Sequence, residues 1–142
     1  MRKVLVINGP NLSRLDLREK DIYGTLNYDD LSSAIQKEAQ NLGLSVDIRQ
    51  SDDETQIIQW LHEAADQKLP VIFNPAAFTH YSYAIRDAVA MVSSKVIEVH
   101  LSNPMSREEF RHTSVVAGVA DGTIAGFGVD SYLLALRVIA KD

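Results

Sequence analysis

The side chains of this sequence that can move protons stand mostly just after short apolar runs. Asn8 and Asn11 follow Val4-Leu5-Val6-Ile7, Asn74 follows Val71-Ile72-Phe73, and His100 and Ser102 follow Val96-Ile97-Glu98-Val99. The segments beyond those runs carry Arg18, Tyr23, His80 and Arg111. A single histidine at the end of a strand is usually structural. Gathered at one place, two histidines, two asparagines and a tyrosine near arginine would supply an acid, a base and hydrogen-bond donors. The stretch Asn8–Gly24, NGPNLSRLDLREKDIYG, shows neither helical nor strand period. Connections of that length are usually lids or binding loops, and Arg14, Arg18 and Tyr23 within it suit an anionic ligand.

The elements that must position these groups can be read from the pattern around them. Lys3–Asn8, Pro70–Asn74 and Val96–Leu101 are continuous apolar runs of the kind found in strands buried on both faces. Leu44, Val46 and Ile48 alternate with polar residues, which predicts a strand covered on one side. Leu31, Ile35, Ala39 and Leu42 recur at helical spacing and Gly43 stops them, while Ile57, Ile58, Leu61 and Ala64 form a second apolar stripe behind Asp52-Asp53-Glu54. Ser82 is placed to cap a helix containing Ile85, Ala88, Val89 and Val92. Pro75 to His80 reads as a loop, and Ser102 to Arg111 as a polar segment with a helical turn around Arg107–Phe110. A fifth strand is predicted near Thr123–Gly126, then a helix capped by Asp130 with Leu133, Leu134, Leu136 and Ile139 on its apolar side. Strand and helix alternate about five times, which implies a parallel sheet covered on both faces. The expected fold is a single α/β domain over residues 1–142: a flavodoxin-like, doubly wound, five-stranded parallel sheet in three α/β/α layers. Such sheets bind ligands beyond the carboxyl ends of their strands, where strand order reverses. The scattered polar residues would meet at that edge.

Composition narrows the function classes. The chain has 142 residues, 46% of them hydrophobic, a formal net charge of −5 and no cysteine. Disulfides and thiolate metal sites are excluded, and an acidic chain argues against nucleic acid as a partner. No leader or twenty-residue apolar span is seen, so no membrane association and a cytoplasmic location are expected. Gly126-Phe127-Gly128 completes neither a dinucleotide fingerprint nor a P-loop, and GxSxG is absent. His80, Asp87, His100 and His112 lack a metal-ligand spacing, so a metal site is not expected.

At this point the residues resemble a known family. NGPNL, LREKDIYG, QSDDE, NPAAFTHYSYAIRDA and EVHLSNPMSREEFRH, in this order, are similar to the motifs of type II 3-dehydroquinate dehydratases from Lys3 nearly to the C-terminus. The resemblance implies reversible dehydration of 3-dehydroquinate to 3-dehydroshikimate by anti elimination through an enolate, without a cofactor. It also implies a homododecamer built as a tetramer of trimers. Carried over by position, Tyr23 is the base and Arg18 holds it as phenolate. His100 is the general acid and Glu98 orients it, and Asn11 helps hold a water that stabilises the enolate. Asn74, His80, the backbone at Leu101, Ser102 and Arg111 match substrate-gripping positions, with Arg107 as a further ligand. Asp87 matches a position that reaches a neighbouring subunit's site. The residue types fit the chemistry independently. Proton removal beside a ketone needs a base and donors for the enolate, a guanidinium favours phenolate, and histidine is a proton donor suited to neutral pH.

Several positions depart from the family pattern: Ser13 for Asn, Asp16 for Gly, Lys20 for Pro, Asp52 for Asn, Thr55 for Gly, Ala76 for Gly and Tyr81 for Thr. None removes an acid, base or ligand. Asp16, two residues from Arg18, is expected to compete for its guanidinium and to slow turnover. With Ala76 it motivates an alternative reading, a catalytically weakened binding or regulatory relative with the same pocket. A flavodoxin-type FMN carrier lacks support, because no Ser/Thr-rich phosphate loop follows the first strand.

Overall fold

The computed structural model describes all residues from Met1 to Asp142. Five parallel strands form one sheet: β1 (Arg2–Asn8), β2 (Leu44–Gln50), β3 (Val71–Asn74), β4 (Val96–His100) and β5 (Gly122–Ala125), in the order β2-β1-β3-β4-β5. The order reverses between β1 and β3, whose last paired residues are Asn8 and Asn74. The expected fold class is therefore the one observed.

Strand period divides the core between the two faces. Val4, Val6, Ile72, Ile97 and Val99 pack under α2 (Tyr28–Asn41) and α5 (Val129–Ala140). Leu5, Ile7, Val71, Phe73 and Val96 pack under α3 (Glu54–Gln67) and α4 (Tyr83–Ala90). The same period sends Asn8 and Asn74 toward α5, and Glu98 toward the α4 side. Caps hold the helix starts at the active edge: the Asn27, Asp53 and Ser82 side chains accept from Asp30, Thr55 and Ile85 N–H groups. No helix is long and apolar enough to cross a membrane.

Several local expectations are corrected. Asn8–Gly24 is not without structure: Leu12–Leu17 forms a 3₁₀ helix and Lys20–Tyr23 a one-turn helix, α1. Leu12 and Leu15 are buried three residues apart, which pins the 3₁₀ turn to the core. Ala76–His80 is likewise 3₁₀ rather than loop. The Ser102–Arg111 segment contains turns at Pro104–Ser106 and Glu109–His112, with Arg107 extended between them. Helix α4 ends at Ala90, before Val92. Asp130 does not cap α5; Gly128 occupies that position at φ 59°. Leu134 faces solvent, and Tyr132 and Ala135 fill the core in its place.

Two backbone positions shape the ligand edge. A Cβ on Gly9 would lie 2.5 Å from the Pro75 carbonyl oxygen, so only glycine lets β1 leave the sheet this close to β3. Ala76 sits at φ 53°, in the left-handed region, at a cost of about 1–2 kcal/mol for a residue with a Cβ. Ala76→Gly removes that strain but adds freedom to the unfolded chain, worth about 0.4–1 kcal/mol. The net expectation is a gain of about 0.5 kcal/mol, or roughly 1–3 °C in thermal midpoint. A fall in midpoint would show that the methyl group's packing outweighs the strain.

Candidate active site

A cleft opens beyond the carboxyl ends of β1, β3 and β4, where a doubly wound sheet places its ligands. Its walls bring together Asn11, Arg18, Tyr23, Asn74, His80, His100, Leu101, Ser102, Arg107 and Arg111. Three guanidiniums in one cleft of a chain with net charge −5 make a local anion site.

Tyr23, at the end of α1, is held by two of them. Arg18 Nη2 donates to its hydroxyl oxygen at 2.7 Å, and Arg107 Nη1 donates at 2.8 Å. Both also lie over the ring, at 4.5 and 5.5 Å from its centroid. Arg107 is nearly buried, its Nη1 also donates to Ser102 Oγ at 3.2 Å, and its Nε makes no hydrogen bond, with the Glu108 carboxylate 3.9 Å away. His112 donates from Nε2 to the Arg107 carbonyl and braces that segment. Arginine offers only donors, so the Tyr23 oxygen is an acceptor in this arrangement. A phenolate there would meet two positive charges.

Across β4, Glu98 is buried and accepts from His100 Nε2 at 2.6 Å. It also accepts from the Thr79 hydroxyl and, at 3.0 Å, from Ser114 Oγ. Burial pushes this carboxyl up, but the His100 hydrogen bond and charge, with Thr79 and Ser114, outweigh it and leave it below the usual carboxylate range. An ionised Glu98 requires the proton on His100 Nε2 and leaves Nδ1 for the cleft.

His80 is set differently. Its Nδ1 donates to the Thr113 carbonyl at 2.8 Å, and the Phe110 ring stands edge-on beside it. Burial lowers its pKa, the Thr113 bond opposes this, and the charges of His100 and Arg111 lower it further. A neutral ring with Nδ1 protonated offers Nε2 as an acceptor. Asn11, at φ 70°, is tied through its backbone N–H to Asp52 Oδ1, which leaves its exposed side chain toward the cleft. Arg111 pairs with Glu108 at 3.3 Å.

The sequence-derived residues divide clearly. Ten line the cleft, Glu98 stands directly behind His100, and Asp87 is exposed on α4 away from it. Asn8, grouped above with the strand-end candidates, is buried among Tyr28, Tyr132 and the Arg49 carbonyl. The expected competition of Asp16 for Arg18 is overturned: its carboxylate pairs with Arg14 through two 3.1 Å hydrogen bonds. It also lacks a positive φ. Glu19, 3.6 Å from Arg18 Nε, is the carboxylate that approaches Arg18. Thr79, Ser114 and Tyr132 were missed. Thr79 stands in the NPAAFTHYSYAIRDA run, whereas nothing in the sequence marks Ser114 or Tyr132 as polar partners.

Comparison with known proteins shows the family and the fold. The family model for dehydroquinase class II matches residues 2–140. A 3-dehydroquinate dehydratase of Salinispora tropica is 54% identical over 138 residues, covering 97% of this chain and 96% of the relative. One of Halalkalibacterium halodurans is 56% identical, covering 99% and 97%. The crystal structure of type II dehydroquinase from Propionibacterium acnes superposes with a TM-score of 0.98 at 49% identity, covering 100% of this chain and 98% of that one. The type II dehydroquinase from Butyrivibrio crossotus gives 0.94 at 46% identity, covering 99% and 98%.

Proposed function

The chain belongs to the class II dehydroquinase family and dehydrates 3-dehydroquinate, a reaction of the shikimate pathway, and we propose that Tyr23 and His100 divide the proton transfers between them. The observation that carries this reading is the convergence of Arg18 and Arg107 on the Tyr23 oxygen, in a cleft that His100 also enters with its far nitrogen bound to a buried carboxylate. Tyr23, as phenolate, takes the proton from the carbon beside the ketone. The electron pair moves onto the ketone oxygen as enolate, where a water held by Asn11 donates a hydrogen bond. The enolate then re-forms the ketone and expels the hydroxyl at the β carbon, which leaves as water with the proton from His100 Nδ1. Glu98 keeps the imidazole oriented and balances its charge in the acid form. The product is the conjugated enone 3-dehydroshikimate. Asn74, His80, Ser102, the Leu101 backbone, Arg107 and Arg111 hold the carboxylate and hydroxyls.

Each step moves a proton between groups of this chain, substrate and solvent, so the reading calls for neither metal nor cofactor. Purified protein given 3-dehydroquinate should develop the ultraviolet absorbance of the enone. A chain that binds the substrate without forming enone would be the weakened relative instead.

The assembly part of the reading is a homododecamer, a tetramer of trimers, in which Asp87 reaches a neighbour's cleft. Its support is that Asp87 is exposed and outside its own cleft, on a helix that also exposes Tyr83. Chains dissociated to folded monomers are expected to lose nearly all activity and to regain it on reassembly, followed by light scattering and the enone assay together. A fully active monomer would refute the shared site.

A further inference from the structure

Beneath the cleft, Asn8, Tyr132 and Asn74 form a buried polar chain whose direction can be read from its two ends. At one end Asn8 Nδ2 donates to the Arg49 backbone carbonyl at 3.4 Å and lies 3.5 Å from the Tyr28 hydroxyl. A backbone carbonyl only accepts, so Asn8 Oδ1 faces the other way, where the Tyr132 hydroxyl donates to it at 2.6 Å. That hydroxyl has one hydrogen. With it committed, the Tyr132 oxygen accepts from Asn74 Nδ2 at 2.8 Å. At the far end Asn74 Oδ1 accepts from the Ala76 N–H at 3.0 Å.

Both backbone ends demand the same polarity, and flipping either amide would set like against like. Asn8 and Tyr132 are fully buried and Asn74 is 2% exposed, so no water competes for these bonds. Burial also pushes the Tyr132 hydroxyl well above its usual range and keeps it a donor. Asn74 has then committed its oxygen to Ala76 and one Nδ2 hydrogen to Tyr132. A single donor hydrogen remains for the cleft it lines.

We propose that Tyr132 is a positioning residue that fixes the Asn74 carboxamide as a hydrogen-bond donor to the substrate, selecting an acceptor oxygen such as a carboxylate at that subsite. The proposal rests on the reading that Asn74 touches substrate. Tyr132 itself lies below the cleft and acts only through Asn74. Without the tyrosine hydroxyl only the Ala76 N–H restrains the carboxamide, and a rotated carboxamide presents its oxygen to an anionic group and repels it.

The test is a double-mutant cycle of Tyr132→Phe and Asn74→Ala, read by steady-state enone formation and thermal melting. Asn74→Ala should raise KM about tenfold or more, as expected for a lost bond to a charged group. Tyr132→Phe should raise KM several-fold with kcat within about twofold, and should add nothing on the Asn74→Ala background. A purely structural tyrosine would lower the melting point and active fraction without moving KM, or would act additively, and either result overturns the proposal. If Asn74→Ala leaves KM unchanged, the substrate contact itself is wrong. If Asn74→Ala raises KM and Tyr132→Phe does not, only the role of Tyr132 fails. Should Tyr132→Phe not fold, Asn8→Ala releases the tyrosine hydrogen from the other side. It should raise KM several-fold in the same Asn74-dependent way, and unchanged or additive kinetics would again overturn the proposal.

Discussion

Replacing Tyr23 by phenylalanine lowers turnover by about 10²- to 10⁴-fold, the range for loss of a general base, while substrate affinity stays within about tenfold. The phenyl ring keeps its place at the end of α1 and can still lie under both guanidiniums. What disappears is the one oxygen that accepts from Arg18 Nη2 and Arg107 Nη1. Arg107 is the more buried of the two, and stranding one of its N–H groups costs about 1–3 kcal/mol of stability. Melting must therefore be measured beside activity, because a partly unfolded variant would mimic a lost base. The other contacts proposed for the substrate, at Asn74, His80, Ser102 and Arg111, do not involve Tyr23 and are expected to preserve binding. Turnover near that of the parent protein would remove Tyr23 from the mechanism.

His100→Ala is the second large effect. Dehydration should fall by a comparable factor of about 10²–10⁴, because the leaving hydroxyl loses its proton donor. The substitution also takes away one of the partners of a buried carboxylate. Glu98 keeps Thr79 and Ser114, but the imidazole bond and charge that outweighed its burial are gone. The sign of the stability effect follows. In the parent protein Glu98 titrates below the usual range, so its contribution is fully present above the unfolded carboxyl's pKa and is lost as pH falls through the lower folded value. In His100→Ala that contribution is diminished or reversed. The melting difference between the two proteins is therefore widest near neutral pH and narrows below the ordinary carboxylate range. A pH-independent difference would mean that lost packing, not the Glu98 charge, sets the stability of the pair.

Much of this site was legible because a parallel sheet gathers strand ends. Asn74 and His100 are recognisable as soon as β3 and β4 are recognised, since each is the polar residue at which an apolar run stops. Arg18 and Tyr23 are five residues apart in one segment, and their contact needs only the turn of α1. The parts that escaped depend on distant pairings that leave no local trace. Ser114 reaches Glu98 across sixteen positions, and Tyr132 reaches Asn8 across 124. Both sit in segments whose small or apolar residues read as ordinary core. The 3₁₀ turn at Leu12–Leu17 was hidden because two buried leucines three apart make too short a stripe to register as a helix. Asp16 illustrates the limit of proximity arguments: Arg14 and Arg18 are equally near in sequence, and only the fold of that turn decides that Arg14 takes the carboxylate.

The division of labour between base and acid is tested most directly by solvent exchange. Tyr23→Phe and His100→Ala are each incubated with 3-dehydroquinate in deuterium oxide, and unreacted substrate is examined by mass spectrometry. With Tyr23 intact and His100 missing, the proton beside the ketone should still be removed and replaced. Substrate from the His100→Ala reaction should therefore gain deuterium while little enone forms. Substrate from the Tyr23→Phe reaction should gain none beyond the rate without protein. Exchange that survives in Tyr23→Phe, or that is lost equally in both variants, would contradict the assignment of proton removal to Tyr23 and of proton donation to His100.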